Sequence, residues 1–390
     1  MDSPTAAEVT VIGGGLAGLV AANAVAERGL PVRLYEAHGT LGGRGRAAPP
    51  PYVAHEGAHV FYAGMPYWPW LTARGLVPPL CRPPLAESRP GFVRDGRLRL
   101  APPPGLVRMM LPDRPRTAPV DQDFRTWATR RYGVAAARHA ARALGVVTYD
   151  ADTGRLSAAF CWELFRRIFT FRRPAVRWVR GGWQAVIGRL EARARRLGVR
   201  IELNARLTAP PGGGPVIVAT ELASARALLG DATLRGTSGH AALLDLAVRR
   251  APGDRFLAFD LDAGGFHESY SAQDPTVAPP GESLYQLTMP VRADETPARA
   301  RERLEALAGL TVPGWRERVT WRRAGTAKGR TGALDLPGRT WRDRPAVDRG
   351  DGVLLAGDMV AAPGMRGEIA AHSALCAADL AVAASRPGRC

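Results

Sequence analysis

The segment Val9 to Glu36 constrains the fold more than any other stretch of the chain. An apolar strand is followed by a glycine-rich turn, an alanine-rich helix from about Leu16 to Arg28, and a second strand over Pro31 to Tyr35. Strand, glycine turn, helix and strand in this order are the parts of a dinucleotide-binding βαβ unit. We therefore predict an α/β fold with a parallel, Rossmann-like sheet that begins at the first strand.

The turn of this unit has the spacing Gly-x-Gly-x-x-Gly, in which each glycine has a physical role. Gly13 allows the tight turn, Gly15 lets a pyrophosphate approach the backbone, and Gly18 lets helix and strand pack closely. Glu36 comes 18 residues after Gly18, close to the spacing of a carboxylate that binds ribose hydroxyls. The unit by itself does not distinguish NAD from FAD. Its predicted nucleotide-binding residues are Gly13, Gly15, Leu16, Ala17, Gly18, Glu36 and Ala37.

Two further signatures decide between these cofactors. A Gly-Gly-Arg segment, Gly42 to Arg44, follows the second strand, and the sequence GVLLAGD, Gly352 to Asp358, precedes Gly367 and a helix of small residues. This pairing resembles the flavin-containing amine oxidase and phytoene desaturase superfamily. The resemblance covers residues 8–64 and 351–384, and Arg180 to Leu190 is similar to the family's Gly-Gly segment. The middle of the chain matches only loosely.

The resemblance implies a FAD-dependent oxidoreductase. In the family the first motif binds the ADP part of FAD, the Gly-Gly-Arg segment continues along it, and the C-terminal Gly-Asp contacts the ribityl-pyrophosphate region. A Gly-x-His segment runs close to the isoalloxazine ring. No cysteine or histidine occupies an obvious tethering position, so we expect noncovalent FAD. The further cofactor-binding residues that the resemblance implies are Gly42, Gly43, Arg44, Gly57, Ala58, His59, Gly357, Asp358 and Gly367.

The chain divides into two domains that are both discontinuous. We predict a Rossmann-like FAD-binding domain from residues 1–75, 180–237 and 342–390. The inserted α+β substrate domain takes residues 76–179 and 238–341. It begins near a hairpin, because Gly91 to Leu100 alternates in polarity around Asp95-Gly96.

Five segments of the substrate domain carry a structural prediction. Pro102 to Pro119 is proline-rich and predicts a connector with a short apolar island. Asp121 to Gly145 has a helical pattern, and Leu156 to Phe171 is the most apolar helical candidate. Trp315 to Trp321 alternates and predicts an edge strand, whereas Thr326 to Trp341 is glycine-rich and predicts a connection back to the last cofactor strand.

The apolar helical candidate has two explanations. Its large side chains at helical spacing indicate packing in the core, or else the wall of a substrate pocket or an entrance that faces a membrane. The second alternative draws on the four arginines beside it, because apolar and basic faces together are typical of an interfacial helix. Peripheral membrane contact is therefore one expectation. These arginines are Arg166, Arg167, Arg172 and Arg173.

The formal net charge of +17 is large, and all basic residues except Lys328 are arginine. The excess of arginine has two alternative explanations. One is a compositional bias of the source genome, and the other is attraction to anionic substrates, membranes or nucleic acid. No nucleic-acid-binding motif is present, so we expect a small-molecule substrate and no nucleic acid. The four cysteines lack metal-ligand spacing, which predicts reduced thiols and no metal site. With no secretory signal in MDSPTAAE, we expect a cytoplasmic protein.

The sequence contains no recognisable nucleophile triad. Two residues, His59 and Lys328, are candidates for catalysis. His59 either contacts flavin or substrate or is hydrogen-bonded in the domain core. Amine oxidases of the superfamily usually carry a lysine that is linked through water to the flavin. Lys328 is the sole candidate for this role in the sequence. The alternative is that Lys328 is a solvated lysine in a loop. A solvated Lys328 favours the desaturase branch, where a hydride leaves carbon without that lysine. The alternatives are an amine oxidase, a non-redox flavoenzyme similar to UDP-galactopyranose mutase, and a flavin-binding partner protein without turnover.

Overall fold

The computed structural model describes residues 7–58, 60–83, 89–171 and 175–385. Its strands are β1 (Val9–Ile12), β2 (Val32–Tyr35), β3 (Phe61–Tyr62), β4 (Leu80–Cys81), β5 (Gly91–Arg94), β6 (Arg97–Arg99), β7 (Val176–Val179), β8 (Arg200–Glu202), β9 (Val216–Val218), β10 (Ser238–Arg249), β11 (Leu257–Asp260), β12 (Phe266–Ser269), β13 (Glu282–Pro290), β14 (Val319–Ala333) and β15 (Val353–Leu355). Its α-helices are α1 (Leu16–Ala26), α2 (Tyr67–Ala73), α3 (Pro104–Met110), α4 (Phe124–Tyr132), α5 (Val134–Ala143), α6 (Gly145–Thr148), α7 (Ala158–Ile168), α8 (Gly182–Arg196), α9 (Leu222–Leu229), α10 (Pro297–Thr311), α11 (Trp315–Arg318) and α12 (Gly367–Ser385).

A parallel five-stranded sheet forms the core of the first domain, in the order β15-β9-β1-β2-β8. The predicted βαβ unit is present as β1, α1 and β2. Strand β2 lies on one side of β1 in the sheet, and β8 lies beyond it. Strands β9 and β15 lie on the other side of β1. The strand order therefore reverses between β1 and β9, where ligands of open α/β sheets bind.

Small residues let the helices of this domain pack closely. Nearly all of α1 is buried, and it packs against α12 and α8. Among the described residues, α12 alone is both long and apolar enough to cross a membrane. However, 56% of its most apolar window is buried inside the protein, as expected of a core helix.

A seven-stranded sheet dominates the second domain, in the order β14-β10-β13-β12-β11-β5-β6. Adjacent strands in this sheet are antiparallel, except that β11 and β5 are parallel. One face packs on α10, through β10 residues such as Leu244 and Leu246. The other face meets the first domain, because Arg323 and Gln286 both donate to the backbone oxygen of His55. A site between the domains must therefore lie on this second face, which we call the inner face.

Helices α3 to α7 cover one end of the large sheet. Trp162 and Phe165 of α7 are fully buried and stack with ring centroids 5.5 Å apart. They belong to an aromatic cluster that reaches Phe259 and Phe266 on the sheet. Core packing thus accounts for the apolar helix, although Phe171 beyond its end is 65% exposed.

Two predictions about helices were incomplete. The connector Pro102 to Pro119 contains α3, which begins at a proline because an N-terminal proline loses no helical hydrogen bond. The single helix over Asp121 to Gly145 is instead α4 and α5, separated by Gly133 at φ 88°. A glycine at this positive φ, with ψ 159°, ends one helix and reorients the next. The hairpin prediction is confirmed, with Asp95 and Gly96 at φ 53° and 68°.

The edge strand predicted over residues 315–321 is confirmed in part, because β14 lies at the edge of the seven-stranded sheet, whereas the connection predicted over residues 326–341 was wrong as far as residue 333. Trp315 begins the short helix α11, and the alternating residues that follow belong to the long strand β14, which pairs with β10. Glycines at 325, 329 and 332 suggested a loop, yet Gly329 and Gly332 with φ of 70° and 84° bend a continuous strand. Lys328 therefore lies on a strand and not in a loop.

The two large sheets fall within the predicted domain ranges. Every strand of the parallel sheet lies in residues 1–75, 180–237 or 342–390, and every strand of the seven-stranded sheet lies in 76–179 or 238–341. The small sheet β3-β7-β4 joins the two ranges. The boundaries themselves stay a prediction.

Candidate functional site

The predicted cofactor residues meet at one edge of the parallel sheet. Gly13 follows β1, Glu36 follows β2, and Gly357 and Asp358 follow β15. Because parallel strands end at the same edge, residues from both ends of the chain line one crevice. This edge at the β1/β9 reversal is where open α/β sheets hold their ligands.

The three motif glycines have the environments that their predicted roles require. Gly13 has φ 107°, and a Cβ atom there would lie 2.7 Å from the carbonyl oxygen of Ala219. A Cβ atom on Gly18 would lie 1.8 Å from the carbonyl oxygen of Gly13, so helix and turn touch. A Cβ atom on Gly15 would meet no described atom within 4 Å. The backbone at Gly15 is therefore open to a ligand, as phosphate binding at the start of α1 requires.

Glu36 is buried beside this turn and holds it in shape. Its Oε2 accepts the N–H of Gly14 at 2.7 Å, and its Oε1 accepts the N–H of His38 at 2.9 Å. Oε1 also contacts Nδ1 of His38 at 2.6 Å, so Oε2 is the oxygen that can accept a further hydrogen bond from a ribose hydroxyl. Leu16 and Ala17 begin α1, and Ala37 follows Glu36 at the same edge. Their role as nucleotide contacts stays a prediction.

An ion pair closes the crevice between the two ends of the chain. The Nη1 of Arg44 donates to Asp358 Oδ2 at 2.8 Å and also to the backbone oxygen of Arg330. The Asp358 carboxylate raises the pKa of Arg44 above its ordinary value, so the guanidinium stays charged. Gly42, at φ 111°, donates its N–H to the carbonyl oxygen of Gly14 at 2.8 Å. The Gly-Gly-Arg segment thus packs directly on the glycine turn.

Trp183, at the start of α8, links the remaining predicted segments. Its Nε1 donates to the backbone oxygen of Ala58 at 3.2 Å, and its ring lies 3.8 Å from that of Phe61. A Cβ atom on Gly367 would lie 2.8 Å from the Trp183 ring and 3.4 Å from Leu16. Gly367 therefore lets the start of α12 approach the site closely. His59, predicted to contact flavin or substrate, lies outside the described residues.

Three residues that the sequence analysis did not select line the crevice beyond this point. The guanidinium of Arg366 lies 4.4 Å from the ring centre of Tyr149, whose hydroxyl is 3.9 Å from the Cβ position of Gly57. Tyr62 is buried nearby, and burial raises its pKa, so its hydroxyl stays protonated. Arg366 has φ 52° and Tyr149 also has φ 52°. Backbone in this region costs about 1–3 kcal/mol and is concentrated at functional sites.

The geometry of this crevice agrees with what the chain is similar to. Residues 11–73 match the family described as NAD(P)-binding Rossmann-like domain. An oxidoreductase from Methanosarcina mazei is 16% identical with a TM-score of 0.76, covering 95% of this chain and 100% of its own. Putrescine oxidase, in a structure bound to putrescine, is 15% identical with a TM-score of 0.71, covering 97% of this chain and 99% of its own.

A third similar structure has a different activity. Reduced UDP-galactopyranose mutase is 13% identical with a TM-score of 0.62, covering 85% of this chain and 84% of its own. No curated protein matches the sequence. These likenesses establish the fold, and they confirm at that level the resemblance and the α/β fold class inferred from the sequence motifs.

The inner face carries one buried carboxyl group without a charged partner. Glu268 is 1% exposed and lies on the same face of β12 as Phe266. Its Oε1 accepts from Trp178 Nε1 at 2.6 Å and from Gln273 Nε2 at 3.0 Å. In the described part of the chain no arginine or lysine forms an ion pair with it. Burial consequently raises the pKa of Glu268 to about 7.

Lys328 does not share this face. In the register of β10 and β14, Lys328 lies opposite His240, and residues 326 and 324 lie opposite Ala242 and Leu244. Ala242 and Leu244 pack on the α10 side. Lys328 therefore stands on that side of the strand pair, whereas Arg323 stands on the inner face. Its side chain is exposed, as expected for a solvated lysine.

Proposed function

We propose that the protein is a flavoenzyme that binds FAD noncovalently along the crevice and oxidises or desaturates a small organic substrate by hydride transfer. One observation carries this proposal: the glycine turn, the Gly-Gly-Arg segment and the C-terminal Gly-Asp converge and are joined by the Arg44–Asp358 pair. Packing alone does not require three distant segments with these motifs to converge on one edge of the sheet.

The residues present fit FAD in two further ways. The backbone at Gly15 is open, and the buried Nη2 of Arg366 has no hydrogen-bond partner among the residues that the structure describes. When bound, FAD supplies the hydride acceptor, and the protein supplies binding, orientation and electrostatics. The glycine turn holds phosphate, Glu36 orients ribose, and the aromatic and tyrosine side chains around Arg366 exclude water from the reacting end.

Absorbance and precipitation test the cofactor directly. The purified protein should be yellow with one FAD per chain, and acid precipitation should release the flavin into the supernatant. A colourless protein that cannot be reconstituted with FAD would refute the proposal, and flavin in the pellet would refute noncovalent binding. Anaerobic bleaching of the bound flavin by a substrate would then separate an enzyme from a flavin-binding partner protein.

An amine oxidase is the second candidate, since putrescine oxidase shares the fold. Against it stands the position of Lys328 on the α10 side of the sheet, opposite to the inner face. A mutase-type reaction without net oxidation is supported only by the shared fold. Screening amines and unsaturated or saturated lipid-like compounds for flavin bleaching distinguishes these possibilities.

A cytoplasmic location stays a proposal, supported by α12, of which 56% of the most apolar window is buried inside the protein. Peripheral membrane contact is a separate proposal, supported by Phe171, which is 65% exposed near Arg166. Sedimentation with anionic vesicles tests it, and Phe171→Ser should reduce any binding. A protein that stays in the supernatant at low salt would contradict membrane contact.

A further inference from the structure

In the described part of the chain, Arg366 forms no ion pair, whereas the neighbouring Arg44 and Arg167 each pair with a carboxylate. Arg366 is half-buried, but its Nη2 atom is buried and has no hydrogen-bond partner among the described residues. An unpaired guanidinium N–H is costly to bury, because water solvated it in the unfolded chain. Such a group indicates a missing acceptor.

The carboxylates nearest to Arg366 in the sequence and in space are already engaged. Asp358 accepts from Arg44 at 2.8 Å. Glu368, two residues away, accepts both guanidinium N–H groups of Arg167 at 2.6 Å, and its Oε2 also accepts the N–H of Met365. Two arginines therefore neutralise two carboxylates, and the charge of Arg366 remains uncompensated by contact.

Arg366 lies beside two groups of the proposed FAD site. Its Cδ and Nη1 lie 3.3 Å from the Cβ position of Gly332, which is itself 3.5 Å from Asp358 Oδ2. On its other side it stacks on Tyr149, which is close to Gly57. Arg366 thus lies between the residue predicted to contact the ribityl chain and the segment predicted to contact the ring.

We propose that Arg366 stabilises the negative charge that the flavin ring gains on reduction and thereby raises the reduction potential of bound FAD. This inference rests on the proposed function. Hydride transfer delivers two electrons and one proton to the ring, which leaves one negative charge until a second proton is taken up. A fixed cation at the site holds that charge and removes the need for the second proton. Burial lowers the pKa of Arg366, yet an arginine remains charged at neutral pH.

The test is the potential of FAD in the holoprotein, measured by spectroelectrochemistry for the wild type and Arg366→Met. We expect the reduction equilibrium to shift at least tenfold toward oxidised FAD in the variant, which corresponds to about 30 mV for two electrons. Arg366→Lys should keep most of the wild-type potential. The matched control is Arg342→Met, an exposed arginine stacked on Trp341, which should leave the potential unchanged.

The pH dependence of the same potential provides an independent readout. In the wild type near neutral pH, we expect uptake of one proton for every two electrons, and in Arg366→Met uptake of two. A steeper slope of potential against pH in the variant would support the proposal. An unchanged slope and potential in Arg366→Met would overturn it and indicate that Arg366 binds an anionic group of the substrate or serves packing.

Failure of this inference differs from failure of the proposed function. If the wild type binds no FAD, the proposed function is wrong. If Arg366→Met loses FAD, Arg366→Gln takes its place in the measurement. The glutamine keeps N–H donors but carries no charge, so this variant should show the same lowered potential. If both uncharged variants fold but fail to bind oxidised FAD, Arg366 acts on binding of the uncharged ring, and the inference is overturned.

Discussion

The two ends of the crevice are built from different kinds of groups. At the nucleotide end, backbone atoms of Gly13, Gly15 and Gly18 shape the surface, and Glu36 holds the turn. At the ring end, the surface consists of side chains that distant elements contribute, such as Tyr149 after α6 and Arg366 before α12. The close backbone contacts at Gly13 and Gly18 tolerate no added atoms, whereas a side-chain surface can be changed one group at a time. The two ends should therefore respond differently to substitution.

The largest effect is expected for Gly18→Ala. The added methyl group would overlap the carbonyl oxygen of Gly13 at 1.8 Å, so α1 must move away from the turn. Overpacking of this kind costs about 1–3 kcal/mol or more, and the displaced turn should no longer retain FAD through purification. The ratio of flavin to protein absorbance and the thermal midpoint measure both consequences.

Gly188→Ala is the matched control, because Gly188 is exposed in α8 and a Cβ atom there would meet no described atom within 4 Å. It should retain FAD and gain up to about 1 kcal/mol of stability, since alanine favours a helix over glycine. Equal loss of FAD in both variants would break the claim that close backbone contact defines the nucleotide end.

At the ring end, Glu268 should couple stability to pH. Its pKa is about 7 in the folded protein against an ordinary value of 4.5, so the folded state holds the proton more tightly. The free energy of unfolding should consequently fall as pH rises from about 4.5 to 7 and level off above that. At 1.36 kcal/mol for each pH unit between 4.5 and 7, this loss of stability amounts to about 3 kcal/mol.

Urea denaturation of the wild type and Glu268→Gln at pH 5, 6, 7 and 8 isolates this contribution. The amide cannot ionise, so the difference in stability between the two proteins should grow with pH in favour of the variant. A difference that stays constant from pH 5 to 8 would show that Glu268 is solvated or paired, and that the ring end is less dry than proposed.

Glu36→Ala should weaken FAD binding by roughly tenfold to a hundredfold, the equivalent of about 1.5–3 kcal/mol for hydrogen bonds to a charged group. Part of the loss should come from the turn, because the N–H of Gly14 loses its acceptor. Glu202→Ala is the control, since this exposed carboxylate ends the neighbouring strand β8. Titration of apoprotein with FAD measures both, and equal affinities would exclude Glu36 as the ribose ligand.

The smallest effect is expected for Lys328→Met. Because Lys328 stands on the α10 side of the sheet, flavin reduction should change by less than about threefold, under 1 kcal/mol. An amine oxidase that uses this lysine should lose about 100-fold in reduction or reoxidation. Stopped-flow measurements of flavin reduction and reoxidation with an identified substrate distinguish these outcomes. The same measurements on His59→Ala allow the two residues to be compared. A large defect in Lys328→Met with normal His59→Ala would reverse our ranking of the two residues.

The nucleotide end could be predicted from the sequence because its determinants are local. Gly13, Gly18 and Glu36 lie within one βαβ unit, and the structure gives each the environment that its spacing predicts. The last strand and helix were also predictable, since small residues and a Gly-Asp pair identify them. Helix ends were less accurate, as the glycine at 133 shows.

The ring end could not be predicted because nothing local distinguishes its residues. Arg366 is one of many arginines in the sequence, and only packing shows that its carboxylate neighbours are taken and its N–H is free. The position of Lys328 depended on a strand register that its surrounding glycines obscured.

The pairing of Arg44 with Asp358 also has a consequence for synthesis on the ribosome. These residues are 314 positions apart, and at translation rates of about 5–20 residues per second the first waits roughly 15 to 60 seconds for its partner. Meanwhile β1 pairs with β2 while its other edge awaits β9. The cofactor crevice is therefore completed late in translation, and chaperones have a long interval in which to bind the nascent chain. Ribosome-bound chains arrested before β15 emerges should retain no FAD, which fluorescence of the isolated complexes can measure.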